Sequence, residues 1–242
     1  DDFVKEILSG QPEPPRYFAR MKRDNKAGPI LLPGGRLPEP RRLQASEIVS
    51  MVEARNHTFL DLRKSRADFM TRHLDGSLFS PLAGGKLPIV AGSYLTEDAV
   101  IVLLVNDEGE VDEAVRQLVR IGLDQVEAWI PAAEALALDE VLVSQESITT
   151  ASLADALSSH PGAMVLDVRG SGEYAESHVE GAKNVAYTRL AARLDEVPVN
   201  TRLYVHCGSG LRASLAVPYL ASQGREVVYV DGPFGAIPAS IR

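Results

Sequence analysis

The chain has 242 residues and a mass of 26.2 kDa, a length that allows one large or two small domains at roughly 100–200 residues each. Apolar residues make up 45% and charged residues 24%, with 19 Gly and 15 Pro, which excludes collagenous, disordered and coiled-coil classes. A net charge of −8 gives no general attraction to nucleic acid or to an anionic membrane surface, and the single cysteine, Cys207, excludes an internal disulfide and any multi-cysteine metal site.

No apolar run reaches the ~18–20 residues of a membrane span. The acidic start Asp1-Asp2-Phe3 lacks the basic region of a signal peptide, so a cytoplasmic protein with no membrane partner is expected. The chain has no initiator Met, and a helical pattern (Phe3, Val4, Ile7, Leu8) starts at once, as in a piece of something longer or a processed terminus. Residues 1–42 hold seven prolines and nine Lys/Arg against six Asp/Glu, leaving 16 Lys/Arg against 27 Asp/Glu for the rest. This segment is predicted to be a short helix followed by a linker held extended by its prolines. The run Arg20-Met21-Lys22-Arg23 is expected to be a solvated face rather than a nucleic-acid patch.

From residue 43 onward short β-branched and aliphatic runs alternate with helical stretches, the pattern of an α/β fold with a mostly parallel sheet. In chain order the pattern predicts helix 45–55, strand 58–62, helix 65–72, strand 100–105, helix 111–121 and strand 125–129. It continues with helix 149–160, strand 163–168, helices 172–177 and 188–194, strand 202–206, helix 211–222 and strand 226–230. The second series repeats the first. Leu60-Asp61-Leu62-Arg63 matches Leu166-Asp167-Val168-Arg169, His73-Leu74-Asp75-Gly76 matches His178-Val179-Glu180-Gly181, and Gly122 matches Gly224. Aligning Ile101–Val105 with Leu203–Val205 puts Asp107 at the position of Cys207 and Asp112 at that of Arg212. Ordered matches with a period near 100 predict two homologous domains dividing at about Leu142.

The chemistry lies in Tyr204-Val205-His206-Cys207-Gly208-Ser209-Gly210-Leu211-Arg212, a strand that runs through a glycine-bearing loop into a helix. A thiol there sits beside unpaired backbone N–H groups and the positive end of the helix dipole, which stabilise an anion. Gly208 and Gly210 allow the loop to curl so that its N–H groups point inward, and Arg212 adds a permanent cation. Cys207 is therefore predicted to act as a thiolate nucleophile.

With those residues in view, the second half resembles a rhodanese. Asp167-Val168-Arg169, Glu173-Tyr174, His178-Val179-Glu180-Gly181-Ala182 with Asn184, and Cys207 to Arg212 follow the family's series of motifs in order. The resemblance implies an α/β fold of two rhodanese-like domains, each a parallel sheet flanked by helices. These would be an inactive domain over 43–142 and a catalytic one over 143–242, after the linker. It also implies a sulfurtransferase that carries sulfur as a Cys207 persulfide between thiosulfate or a persulfide and a thiol or cyanide. Gly208, Ser209, Gly210, Leu211 and Arg212 would bind the anion. The six-residue loop is the length the family uses for sulfur transfer, one residue shorter than in related phosphatases and arsenate reductases. The first domain, cysteine-free and acidic over Asp107–Glu113, is expected to be silent.

Phe3–Leu8, Gln11–Pro15 and Tyr17–Arg23 with Asn25 resemble the segment that leaves the hydrolase domain in metallo-β-lactamase–rhodanese fusion proteins. That resemblance implies persulfide metabolism, with glutathione persulfide as a partner. It also implies a covalently linked metallo-β-lactamase-fold domain that would hold any metal; this chain has no His-x-His and is expected to need no cofactor. The competing reading is a persulfide carrier or interaction module that serves such a domain. Asp167 and Arg169 are expected to support the loop as an ion pair, His178 to form a turn, and His206, on the opposite strand face from the thiol, to pack rather than act as a base. Arg189 and Arg193 are placed equally well at the mouth of the site or on a solvated face.

Overall fold

The structure, a computed structural model, describes residues 3–4, 13–28 and 31–242, with Pro33 in its backbone only. Phe3 and Val4 are helical; the remainder of the expected first helix lies outside the described residues.

Where a solvated, extended linker was expected, Tyr17–Ala27 forms helix α1. Pro14 and Pro15 precede it, no proline interrupts it, and Gly28 ends it at φ +85°, a conformation that costs glycine little. Arg20 is buried: its Nη1 donates to Gly122 O at 2.5 Å and its Nε lies 3.2 Å from Glu97, which Arg23 also meets at 3.0 Å. The ring of Tyr17 covers Gly92, where a Cβ would come within 2.8 Å of Tyr17 Cγ. Met21, Lys22 and Arg23 are exposed, as a solvated face requires, and Arg20 alone of the run is buried, on acceptors 77 and 102 residues away in sequence.

Strand β1 (Arg41–Arg42), inside the segment read as linker, forms one edge of the first sheet. Helix α2 (Ala45–Ala54), β2 (Thr58–Asp61), α3 (Arg66–Thr71), β3 (His73–Leu74), β4 (Leu78–Phe79) and α4 (Lys86–Tyr94) follow. Then come β5 (Ile101–Val105), α5 (Val111–Val119), β6 (Val126–Pro131) and the short α6 (Ala132–Ala135). The order is β1-β6-β5-β2-β4, all parallel. β5 is buried at all five positions, as a central parallel strand covered on both faces must be, and its unbroken apolar run says so in advance. Helix α4 was not anticipated, because Pro88 and Gly92 interrupt its pattern. Pro88 falls in the first turn, where its missing N–H costs nothing, and Gly92 admits Tyr17.

After β7 (Leu142–Val143), which pairs antiparallel with β3, the second sheet is built from β8 (Ser147–Thr149), β9 (Met164–Asp167), β10 (Lys183–Asn184), β11 (Leu203–His206) and β12 (Val227–Asp231). Helices α7 (Leu153–Ser159), α8 (Ser171–Glu176) and α9 (Leu211–Ser222) flank it. The order β8-β12-β11-β9-β10 is that of the first sheet, strand for strand. The predicted helix 149–160 opens as a 3-10 turn (Thr150–Ser152), and 188–194 is a 3-10 helix (Tyr187–Ala192). The fold is thus α/β, with parallel sheets flanked by helices.

Side-chain geometry repeats as well. Asp61 holds Arg63 as Asp167 holds Arg169, and Phe69 stacks on His73 at 4.2 Å as Tyr174 stacks on His178 at 4.0 Å. One apolar core runs across the facing sides of both sheets, from Leu60, Leu103 and Val105 through α4 and α9 to Leu166, Leu203 and Val205. Tyr94 of α4 stacks on Tyr219 of α9 at 4.3 Å inside it.

Candidate active site

β11 delivers Cys207 to the carboxyl end of the second sheet, and the chain turns through Gly208–Gly210 into α9. Cys207 is 1% exposed, at the floor of the turn. Gly210 has φ +87°; a Cβ there would collide with Asp231 Oδ1 and stand 2.8 Å from Tyr229 Oη. At Gly208 a Cβ would stand 2.9 Å from Arg212 Nη2. Both glycines therefore have a steric reason. Gly210→Ala is expected to cost about 1–3 kcal/mol, from a strained backbone plus a forced shift of Asp231. Denaturant unfolding checks this, and an unchanged midpoint would show that Asp231 and Tyr229 simply give way.

Among the described residues the N–H groups of Gly208, Ser209, Gly210, Leu211 and Arg212 find no protein acceptor. Together with the N-terminus of the 12-residue α9 they make an electropositive cradle beside the thiol. Arg212 is not free to swing: its two terminal nitrogens grip both carboxylate oxygens of Glu173 on α8, Nη2 to Oε1 at 2.7 Å. Those hydrogen bonds raise the Arg212 pKa and lower that of Glu173. Glu173 and Arg212 were each visible as part of a motif, but not that they pair across 39 residues. The backbone of Glu13 and its carboxylate dock at the same rim, accepting from Thr188 Oγ1 and Ser171 N at 2.8 Å each. Tyr187, largely buried with its pKa pushed up by that burial, stands close enough to Arg212 and Cys207 to feel their charges.

Asp167 and Arg169 lie on the neighbouring strand end and form a closed unit. Asp167 accepts from Arg169 N (3.0 Å), Nε (2.9–3.0 Å) and Nη2 (2.6 Å), and Arg169 Nη2 also donates to Ser177 O at 2.7 Å. His206 is fully buried between Phe234 and Asp167, its Nε2 3.6 Å from Asp167 Oδ2. Burial lowers its pKa, against the pull of Asp167. His178 Nδ1 donates to Tyr174 O, a turn contact. Arg193 is held by Glu196 at 2.5 and 2.8 Å, and Arg189 reaches Pro14 O at 3.4 Å.

The matching loop of the first sheet stands in a different register from the one the residue pattern suggests. Strand pairing sets Asp61 opposite Leu104 and Asp167 opposite His206, an offset of 102 on the central strands. Val105, not Asp107, therefore stands where Cys207 stands, and Glu110, not Asp112, stands at the place of Arg212. The loop fills its own amides: Glu110 accepts from Asn106 N at 2.9 Å and Asp107 from Gly109 N at 2.8 Å. The first loop is acidic at either register, so the slip of two residues is invisible without hydrogen-bond register.

The rhodanese-like domain family matches residues 149–237. The thiosulfate sulfurtransferase GlpE of Pseudomonas fluorescens is 35% identical over 74 residues, 30% of this chain and 68% of that protein. Its Shewanella oneidensis namesake is 32% identical over 73 residues, 30% of this chain and 72% of that protein. The crystal structure of reduced Bacillus anthracis CoADR-RHD is 29% identical, with a TM-score of 0.35; the match covers 38% of this chain but only 16% of the other. The chain belongs to the rhodanese family. Among the described residues no helix is long and apolar enough to cross a membrane, and no three His, Cys, Asp or Glu side chains converge as metal ligands.

Proposed function

We propose that the chain transfers sulfane sulfur through a Cys207 persulfide. The carrying observation is the single thiol set at the start of five backbone amides that have no protein acceptor among the described residues, with Arg212 locked at the rim. With thiosulfate, the Cys207 thiolate attacks the outer sulfur, the donor S–S bond breaks, and sulfite leaves with the bonding pair. The amides of Gly208 to Arg212 hold the resulting persulfide anion. An acceptor thiolate or cyanide then attacks the terminal sulfur and returns Cys207 as thiolate, completing a double displacement. Asp167 and Arg169 support the site by bracing the adjacent strand end, and the cycle needs no cofactor from this chain.

Thiosulfate and glutathione persulfide are the donors to try. The finer placement, in persulfide metabolism and in covalent linkage to a metallo-β-lactamase-fold domain, draws support from residues 3–25 as a sequence; of these, 5–12 lie outside the described residues. A cytoplasmic site of action suits a thiol that must stay reduced between turnovers.

Intact mass after incubation with each donor tests the reading. A gain of one sulfur, about 32 Da, is expected for a persulfide-forming cysteine; no gain with either donor overturns it. Ready loading with slow release to free thiols would instead mark a carrier. Arg212→Ala is expected to slow loading by anionic donors roughly tenfold, the equivalent of one charge-assisted hydrogen bond. Unchanged donor KM and rate would remove Arg212 from anion binding.

A further inference from the structure

Asp231 ends β12, and its Oδ1 accepts two hydrogen bonds: from Tyr229 Oη at 2.8 Å and from Arg66 Nη2 at 2.9 Å. Arg66 belongs to α3, in the cysteine-free half of the chain, 165 residues away. Tyr229 Oη also lies 3.1 Å from Gly210 O, so its one proton is shared between two acceptors. Gly210 is the left-handed residue that turns the Cys207 loop, and its Cβ would stand 3.2 Å from Arg66 Nη2. The same face is continuous: α9 packs against β4 and α3, and Leu211 lines a 420 Å³ cavity with Phe79, Pro81 and Lys64.

We propose that Arg66 is a positioning residue for the Cys207 loop, so that the cysteine-free half of the chain is a working part of the sulfur-transfer site. The inference rests on the sulfurtransferase reading and adds a role for the silent half. A bare carboxylate is a stronger acceptor than a peptide carbonyl, so an unpartnered Asp231 would draw the Tyr229 proton to itself. Arg66 occupies the same oxygen with its own charge and weakens that pull, so the Tyr229 proton is divided between Asp231 Oδ1 at 2.8 Å and Gly210 O at 3.1 Å. The Gly210 carbonyl, which also accepts from Ser214 N at 2.9 Å, is thereby tied to β12 as well as to α9, and with it the peptide whose N–H belongs to Leu211, an amide without a protein acceptor among the described residues. Burial holds the Tyr229 hydroxyl in its proton-bearing form, with Asp231 adding to the effect.

Single-turnover loading of the full chain with thiosulfate, followed by intact mass, tests the role. Arg66 and Asp231 are part-exposed, at 33% and 44%, so the contact is partly screened. Arg66→Met is expected to slow loading at saturating thiosulfate about fivefold, with half-saturation changed less than about twofold, the size of a part-exposed charged contact. Arg66→Lys should recover most of the rate. On a Tyr229→Phe background, which removes the proton being directed, Arg66→Met should add nothing further, because the two act as one unit. A wild-type rate in Arg66→Met, or effects that simply multiply in the double variant, would overturn the proposal and leave a contact that only stabilises. Should Arg66→Met fail to fold, Asp231→Asn probes the same link from the other side, with the same slowing expected and a wild-type rate again overturning it. If wild-type protein takes up no sulfur, the sulfurtransferase reading is what fails. Amide hydrogen exchange over 208–214 still decides the positioning role in that case: faster exchange in Arg66→Met supports it, and equal exchange ends it.

Discussion

Cys207→Ser is expected to keep the fold and lose sulfur loading altogether, at least about a 10³-fold fall in rate, in line with the loss of other enzymatic nucleophiles. The hydroxyl is a far weaker nucleophile than the thiolate, and an oxygen in place of the sulfur cannot form a persulfide. Stability should change by no more than ~1 kcal/mol. The site is 1% exposed, which penalises a lone hydroxyl, but strand end and loop offer it hydrogen-bonding neighbours. Intact mass and thermal unfolding of the same preparation check both halves of the expectation. Loading retained by the folded variant would put the sulfur elsewhere, although the chain has no other cysteine.

Asp167→Ala is expected to give the largest loss of stability, about 3–5 kcal/mol, the usual result of removing one partner of a buried pair. The Asp167 side chain is fully buried and that of Arg169 6% exposed, so truncation strands a guanidinium against Phe234 at 3.9 Å with only Ser177 O left to accept from it. In urea a midpoint lower by about 1–2 M is the expected reading. Asp61→Ala is the internal comparison. It breaks the same arrangement, with Arg63 14% exposed, where no thiol is near. If both variants lose stability alike, the pair is scaffold in both halves. If Asp167→Ala melts like wild type yet loads no sulfur, Asp167 acts on the reaction itself.

These two expectations divide what the chain announces from what it conceals. The central strands, helix 211–222 and the Cys207–Arg212 loop follow from local physics: apolar runs long enough for a doubly covered strand, and glycines where a turn must curl. The internal repeat is likewise written in matched residues such as Asp61 and Asp167. Helix α4 escaped because its proline falls in the first turn and its Gly92 answers to a neighbour, Tyr17, rather than to its own periodicity.

The sequence by itself determined the fold class, the repeat and the lone thiol at a strand end, since each rests on short local patterns, the repeat on the same patterns recurring in order. Tertiary structure alone decided that α1 docks through Arg20 onto Gly122 and Glu97, and that Val105 rather than Asp107 matches Cys207. It also decided that Glu173 grips Arg212 and that Arg66 meets Asp231. Such contacts join side chains 39 to 165 residues apart, and hydrogen bonds and ion pairs at that range leave no periodic trace for composition or spacing to reveal.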